Sequence, residues 1–170
     1  DAQSQQGTNS GESEETAKQE EKKAQLAEDK FKVALKEEIG QGLIDIERKD
    51  DKVIITVGSG GAFKSGSADL TGKAKKIMAK IAEVNEKGRS EILVSGHTDN
   101  KPLTFGSIYR DNWDLAAARS SSVVQELASS GKLKPDRMKA ISYGETQPVA
   151  SNEDVKGREK NRRIEIEINY

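Results

Sequence analysis

Cysteine is missing from all 170 residues, which excludes disulfides and every thiolate metal site. Histidine occurs once, at His97, so no metal can be shared between two imidazoles, and a lone His-x-Asp supplies too few ligands for a closed zinc site. No metal and no cofactor are therefore expected, and His97 reads as a structural residue at a strand end. Long apolar runs are missing too: none approaches the roughly 20 residues that a helix needs to cross a bilayer. Nor does charge of one sign dominate. The formal net charge is -1, so composition offers no positive field of the kind that draws nucleic acid, and no such partner is expected. With 33% hydrophobic and 34% charged residues, the chain can build one core with a polar extension, hardly two.

Residues 1–15 carry Gln, Ser, Gly, Asn and Glu with no apolar period, a composition expected to form a disordered tether. From Thr16 to about Ile39 the residues turn to Ala, Lys, Gln and Glu, with Ala24, Ala27, Phe31, Ala34 or Leu35, and Glu38 three or four apart. This predicts an amphipathic helix or linker over 16–40, closed by Gly40 and Gly42. Its mixed charges read as a solvated face rather than a membrane-surface helix.

The main domain is expected over 41–170. Leu43–Glu47 and Lys52–Val57 alternate as strands around a Lys49-Asp50-Asp51 turn. The glycine-rich stretch 58–67 lacks the Gly-Lys-Ser/Thr ending of a phosphate loop, so it reads as a link. Leu70, Ala74, Ile77, Ile81 and Val84 predict a helix capped near Ser67 or Asp69 and ended at Gly88. Glu91–Ser95 is a buried strand running into Gly96. A second helix follows, capped by Asp111 or Asn112, with Leu115, Ala116, Val123, Val124 and Leu127 inward and Gly131 at its exit. Pro135-Asp136-Arg137 reads as a turn before the strand Met138–Ser142. Gly144 to Gly157 reads as a polar loop, and Arg162–Ile168 alternates as a final strand. The fold class is α+β: a two-layer sandwich, a mixed sheet with a βαβαβ-type core and helices on one face, plus the N-terminal helix.

Chemistry is expected where Glu91–Ser95 gives way to Gly96-His97-Thr98-Asp99. Ligands favour the carboxyl ends of strands, and a helix N-terminus adds donors there. Asn112 and Arg119 are seven apart and share a helix face. Asp99 and Arg119 could then stand across one pocket, suiting a ligand with both an ammonium and a carboxylate. Asp99 could equally be a turn residue, and Arg119 a surface arginine covering apolar side chains. Arg162 and Arg163 begin a strand, so at most one can face the pocket. Whether Tyr109 and Trp113 line the pocket or close the loop over the core is open at this level.

These residues resemble a known family. Gly96-His97-Thr98-Asp99, Asn112-Trp113-Asp114-Leu115 with Arg119, Tyr143-Gly144 with Gln147-Pro148, and Asn161-Arg162-Arg163-Ile164-Glu165-Ile166 are similar to the OmpA-like peptidoglycan-binding domain. Within that family they are most similar to the periplasmic region of a flagellar motor stator B subunit of the MotB/PomB type, over roughly Ile44 to Ile168. The resemblance implies that Asp99 and Arg119 hold the diaminopimelate of the peptide stem with Asn112 beside them. Thr98, Leu115, Arg162 and Arg163 are implied as support. Phe63 with Gly66-Ser67-Ala68 looks like the family's element before its first core helix. Many relatives read Leu-Ser-x-x-Arg-Ala where this chain has Leu115-Ala116-Ala117-Ala118-Arg119-Ser120, and the Lys101–Asp111 loop is longer than in compact outer-membrane members.

The expected function is thus non-catalytic binding of peptidoglycan that anchors a stator to the wall. The expected setting is periplasmic, with an inner-membrane helix upstream of Asp1, a homodimer, and a membrane stator A subunit as partner. An outer-membrane lipoprotein or porin-type anchor is the alternative within the same class. A peptidoglycan hydrolase is the alternative of another class, since Asp99, Asp111 and Asp114 could supply the two carboxyls that glycoside hydrolysis needs.

Overall fold

The computed structural model describes residues 2–170, with side chains described for Gly11 and from Ser13 onward. Asp1 lies outside the described residues, and so do most side chains of the expected tether. The backbone from Ala2 to Ala34 is one helix, α1. Its first buried side chain among those described is Ala24, followed by Ala27, Phe31 and Leu35. The apolar period predicted for residues 16–40 therefore lies against the core. The helix is interrupted at Leu35 (φ −109°, ψ 20°), and a short α2 (Lys36–Gly40) follows. Glu38 on α2 is buried and takes Lys80 Nζ at 2.8 Å.

Five strands form one sheet: β1 (Ile44–Lys49), β2 (Lys52–Gly58), β3 (Glu91–His97), β4 (Met138–Gly144) and β5 (Arg163–Asn169). Their spatial order is β1-β2-β5-β3-β4. The β3–β4 pair is parallel and the other pairs are antiparallel. A mixed sheet with helices packed on one face is what periodicity predicted. The register aligns one face: Val53, Ile55 and Val57 of β2 stand opposite Ile168, Ile166 and Ile164 of β5, which in turn oppose Ile92, Val94 and Gly96 of β3. Phe31, Leu35, Ile77, Met78, Ile81, Val123 and Leu127 cover that face. The other face carries Thr56, Glu165, Glu167 and Arg163. Strict alternation gives that face its polar side chains, as in an antiparallel sheet with one face on the core.

The remaining helices are α3 (Ser59–Ala62), α4 (Gly72–Asn85), α5 (Asn112–Ser129) and α6 (Val155–Asn161), with a 3-10 turn at Pro135–Arg137. The start of α4 corrects the sequence reading. Thr71, rather than Ser67 or Asp69, is the cap: its Oγ1 accepts from Ala74 N at 3.2 Å and donates to Gly61 O at 2.8 Å. Leu70 instead pairs with Phe63 in an isolated bridge. The polar 144–157 loop runs into α6, which periodicity missed because only Gly157 and Asn161 of that helix are buried. For α5 the predicted details hold: Asp111 Oδ1 accepts from Asp114 N at 2.9 Å, and Gly131 takes φ 76° just past the end.

Topology collects one end of the molecule. The carboxyl ends of β3 and its parallel neighbour β4, the start of antiparallel β5, and the exit of β2 (Gly58 opposite Arg163) all lie there. The N-terminus of α5 follows directly from that end.

Candidate functional site

Asp99 leaves β3 just past the sheet, where Thr98 N still donates to Gly144 O of β4 at 2.8 Å. Its carboxylate is held on both sides. Oδ1 accepts from Lys101 N at 3.0 Å, and Oδ2 accepts from Arg162 Nη1 at 2.6 Å. The Asp99 backbone carbonyl takes the Thr98 hydroxyl at 2.8 Å, and Asn112 Nδ2 donates to Lys101 O at 3.0 Å. Asn112 therefore ties the first turn of α5 to both ends of the Asp99–Lys101 turn. The turn reading of Asp99 is correct as geometry, but it leaves the carboxylate ion-paired.

Arg119, two turns along α5, is only 7% exposed, and Asp99 and Asn112 are 8% exposed. Its Nε donates to Ser67 O at 2.9 Å and its guanidinium carbon lies 4.9 Å over the Phe63 ring. The expectation of Asp99 and Arg119 across one pocket thus gains a third member. Arg162 takes the carboxylate, and among the described residues Arg119 has no ion-pair partner. Burial lowers the Arg119 pKa, nearby Tyr109 opposes that shift, and the charge on Arg162 adds to it. A largely buried guanidinium beside a second cation is an incomplete electrostatic arrangement. A carboxylate placed on its free Nη atoms would complete it.

Ser67 and Phe63 are the residues that sequence reasoning gave only a structural role. They reach Arg119 because β2 exits at this end, a consequence of the β2–β5 pairing. Of the supporting candidates, Thr98 spends its hydroxyl on the Asp99 carbonyl. Leu115 is buried on the underside of α5.

Arg163 is corrected: it points to the opposite face from Arg162. Its guanidinium donates to Gln147 O at 3.0 Å and Asn161 O at 3.1 Å and meets Glu165 at 3.0 Å. There it joins His97, whose Nε2 lies 2.9 Å from Glu165 Oε2. That contact lacks well-formed hydrogen-bond geometry, and His97 Nδ1 has no partner among the described residues. The structural histidine is therefore not the fully satisfied one expected. The His97 contact is the main reason the Glu165 carboxyl is held below its ordinary value; burial opposes the shift and Arg163 supports it.

The carboxylates available for acid chemistry are committed elsewhere. Asp111 caps α5, and Asp114 Oδ2 accepts from Arg110 N at 3.0 Å. Among the described residues, no group of three or more His, Cys, Asp or Glu side chains converges to hold a metal. None of the described helices is long and apolar enough to cross a membrane.

Comparison with known proteins places this geometry. Motility protein B of Bacillus subtilis is 33% identical over 127 residues, 74% of this chain and 48% of that protein. The periplasmic domain of Helicobacter pylori MotB superposes with a TM-score of 0.67 at 29% identity, covering 74% of this chain and 81% of that one. The cell wall anchor of the T6SS from Pseudomonas aeruginosa gives 0.73 at 29% identity, covering 82% and 96%. The chain spans less than two thirds of the curated relatives' own length, 63% at most for two of them. The OmpA family model matches residues 62–162, from the end of α3 through α6 and therefore across Asp99, Asn112, Arg119 and Arg162, so the chain belongs to the OmpA family.

Proposed function

We propose that this chain is a non-catalytic peptidoglycan-binding domain that grips the diaminopimelate-containing peptide stem and anchors a flagellar motor stator to the cell wall. The observation that carries this is the guanidinium of Arg119, buried, without a carboxylate partner among the described residues, fixed by Ser67 and Phe63, and close enough to feel the charge of Arg162, which pairs with Asp99. The terminal ammonium and carboxylate of diaminopimelate match that layout. The carboxylate takes the free Nη atoms of Arg119, and the ammonium shares Asp99 with Arg162. Asn112 holds the turn between them.

The Motility protein B relatives and the MotB periplasmic domain support the stator assignment and a periplasmic setting; an inner-membrane anchor, a homodimer and a stator A subunit as membrane partner are part of the same proposal. The T6SS cell wall anchor supports the broader role, holding a machine against the wall. The hydrolase alternative has less support. Both Asp99 carboxylate oxygens already accept hydrogen bonds, from Lys101 N and Arg162 Nη1, which leaves neither turned to a scissile bond as glycoside hydrolysis requires.

Co-sedimentation with purified sacculi tests the reading, comparing wild type with Arg119→Ala and Asp99→Asn and assaying the supernatant for released muropeptides. Wild-type binding, lost in both variants and without release, is the expected result. Binding that survives both variants, or release of fragments, would overturn it.

A further inference from the structure

Aromatic residues are few, three Phe, three Tyr and one Trp, yet they are not spread evenly. Phe31 is in the core and Tyr170 at the far end of β5, whereas Phe63, Phe105, Tyr109, Trp113 and Tyr143 all fall at the end of the sheet that carries Asp99 and Arg119. Phe63 and Tyr109 attend Arg119. Trp113, the residue after Asn112, is 51% exposed, an uncommon state for the largest apolar side chain in a chain this short of aromatics.

The Trp113 ring is nevertheless not loose. A Cβ built on Gly144 would stand 3.2 Å from its Cδ2, 3.4 Å from Cγ and 3.5 Å from Cε2, so the bare backbone of Gly144 backs the ring. Gly144 has φ 54°, where a side chain is strained in any case. Ser142 Oγ donates to Trp113 O at 2.8 Å, fixing the same turn from β4. The ring is thus a flat apolar surface, supported from below and open above, beside the Asn112–Asp99 turn. Phe105, fully exposed on the Lys101–Asp111 loop, has no such backing.

We propose that Trp113 is a stacking platform for a pyranose ring, so that the site recognises the amino-sugar strand next to the peptide stem as well as the stem itself. This rests on the peptidoglycan reading above. The CH-rich face of a pyranose is a natural partner for the electron-rich face of an indole. A preformed, backed ring binds it without paying to order a flexible side chain. The sugar must lie near the stem because the two are covalently joined, and Trp113 adjoins the residues that would hold the stem.

The single tryptophan makes the test direct, because all indole emission comes from this position. Wild type is titrated with a diaminopimelate-containing disaccharide-tetrapeptide and with the same tetrapeptide lacking sugars. The disaccharide-peptide is expected to bind more tightly and to shift Trp113 emission, while the bare peptide binds without a shift. Trp113→Leu, checked for folding by circular dichroism, is expected to weaken the disaccharide-peptide about three- to tenfold and leave the bare peptide unchanged. Trp113→Phe, which keeps a ring, recovers part of the loss.

Equal weakening of both ligands would make Trp113 a structural residue and overturn the proposal. So would equal wild-type affinities with unmoved emission, while leaving the stem-binding reading intact. An emission shift that follows protein concentration without ligand would assign the ring to contact between copies, and also overturns it. If neither probe binds wild type, the peptidoglycan reading itself falls.

Discussion

Asp99 and Arg162 meet at 2.6 Å across 63 residues of sequence, from the end of β3 to the start of β5. The pair commits the Asp99 carboxylate to Arg162, and among the described residues Arg119, on α5, has no ion-pair partner. Asp99 is far less exposed than Arg162, with side-chain values of 11% and 37%. A double-mutant cycle of Asp99→Asn and Arg162→Ala, followed by urea unfolding, should give a coupling of about 1 kcal/mol. Additive effects would mean that solvent screens the contact completely.

Arg119 contributes to the fold as well as to the site. Losing its bond to Ser67 O and its place over Phe63 should cost Arg119→Ala about 1–3 kcal/mol while leaving the domain folded. Arg119→Lys keeps the charge but not the planar fork, so wall binding should fall nearly as far as in the alanine variant. A lysine variant that binds normally would show that charge alone suffices. Thermal unfolding alongside sacculus binding separates the two contributions.

At Gly96 of β3 the backbone lies directly against α5. A Cβ there would collide with the Ala116 carbonyl oxygen and stand 2.7 Å from Ser120 Oγ, whose hydroxyl also lies 2.8 Å from Ile141 O. Gly96→Ala must push α5 off the sheet, at a cost of about 1–3 kcal/mol or more. Because α5 carries Asn112 and Arg119, ligand affinity should fall with stability. A variant with wild-type melting would mean that the helix yields easily.

Phe31 tests whether α1 belongs to the domain. It is fully buried in the shared core with Leu35 and Val53. Phe31→Ala should destabilise the whole domain in one transition, by about 3–5 kcal/mol. A separate early transition, with the rest of the protein unfolding as in wild type, would show that the helix docks as an independent unit.

The Glu165 cluster makes stability depend on acid. Its folded-state pKa is depressed, first by the His97 contact and also by Arg163, so the unfolded chain, titrating near ~4.3, binds the proton first. The contribution is complete above that value and is lost as pH falls through the lower folded value. Glu165→Gln should flatten this acid limb below about pH 5 in urea titrations. An unchanged slope would show that His97 and Arg163 do not hold the carboxylate.

Local pattern determined much of this molecule. Ile164, Ile166 and Ile168 alternate because one face of β5 is buried and the other is not. Leu115, Val123 and Leu127 mark the inner side of α5, and Asp111 and Gly131 mark its ends; each is a consequence of residues within a few positions of one another. The family motifs likewise singled out Asp99, Asn112 and Arg119 as candidates. Pairing over long separations was decided only by tertiary structure. Strand order placed Arg162 rather than Arg119 on Asp99, sent Arg163 to the other face with Glu165 and His97, and brought the Ser67 carbonyl, 52 residues away, to Arg119. Helix and strand periods depend on spacing along the chain, whereas the partner of a buried charge depends on which segments the sheet brings to the same end.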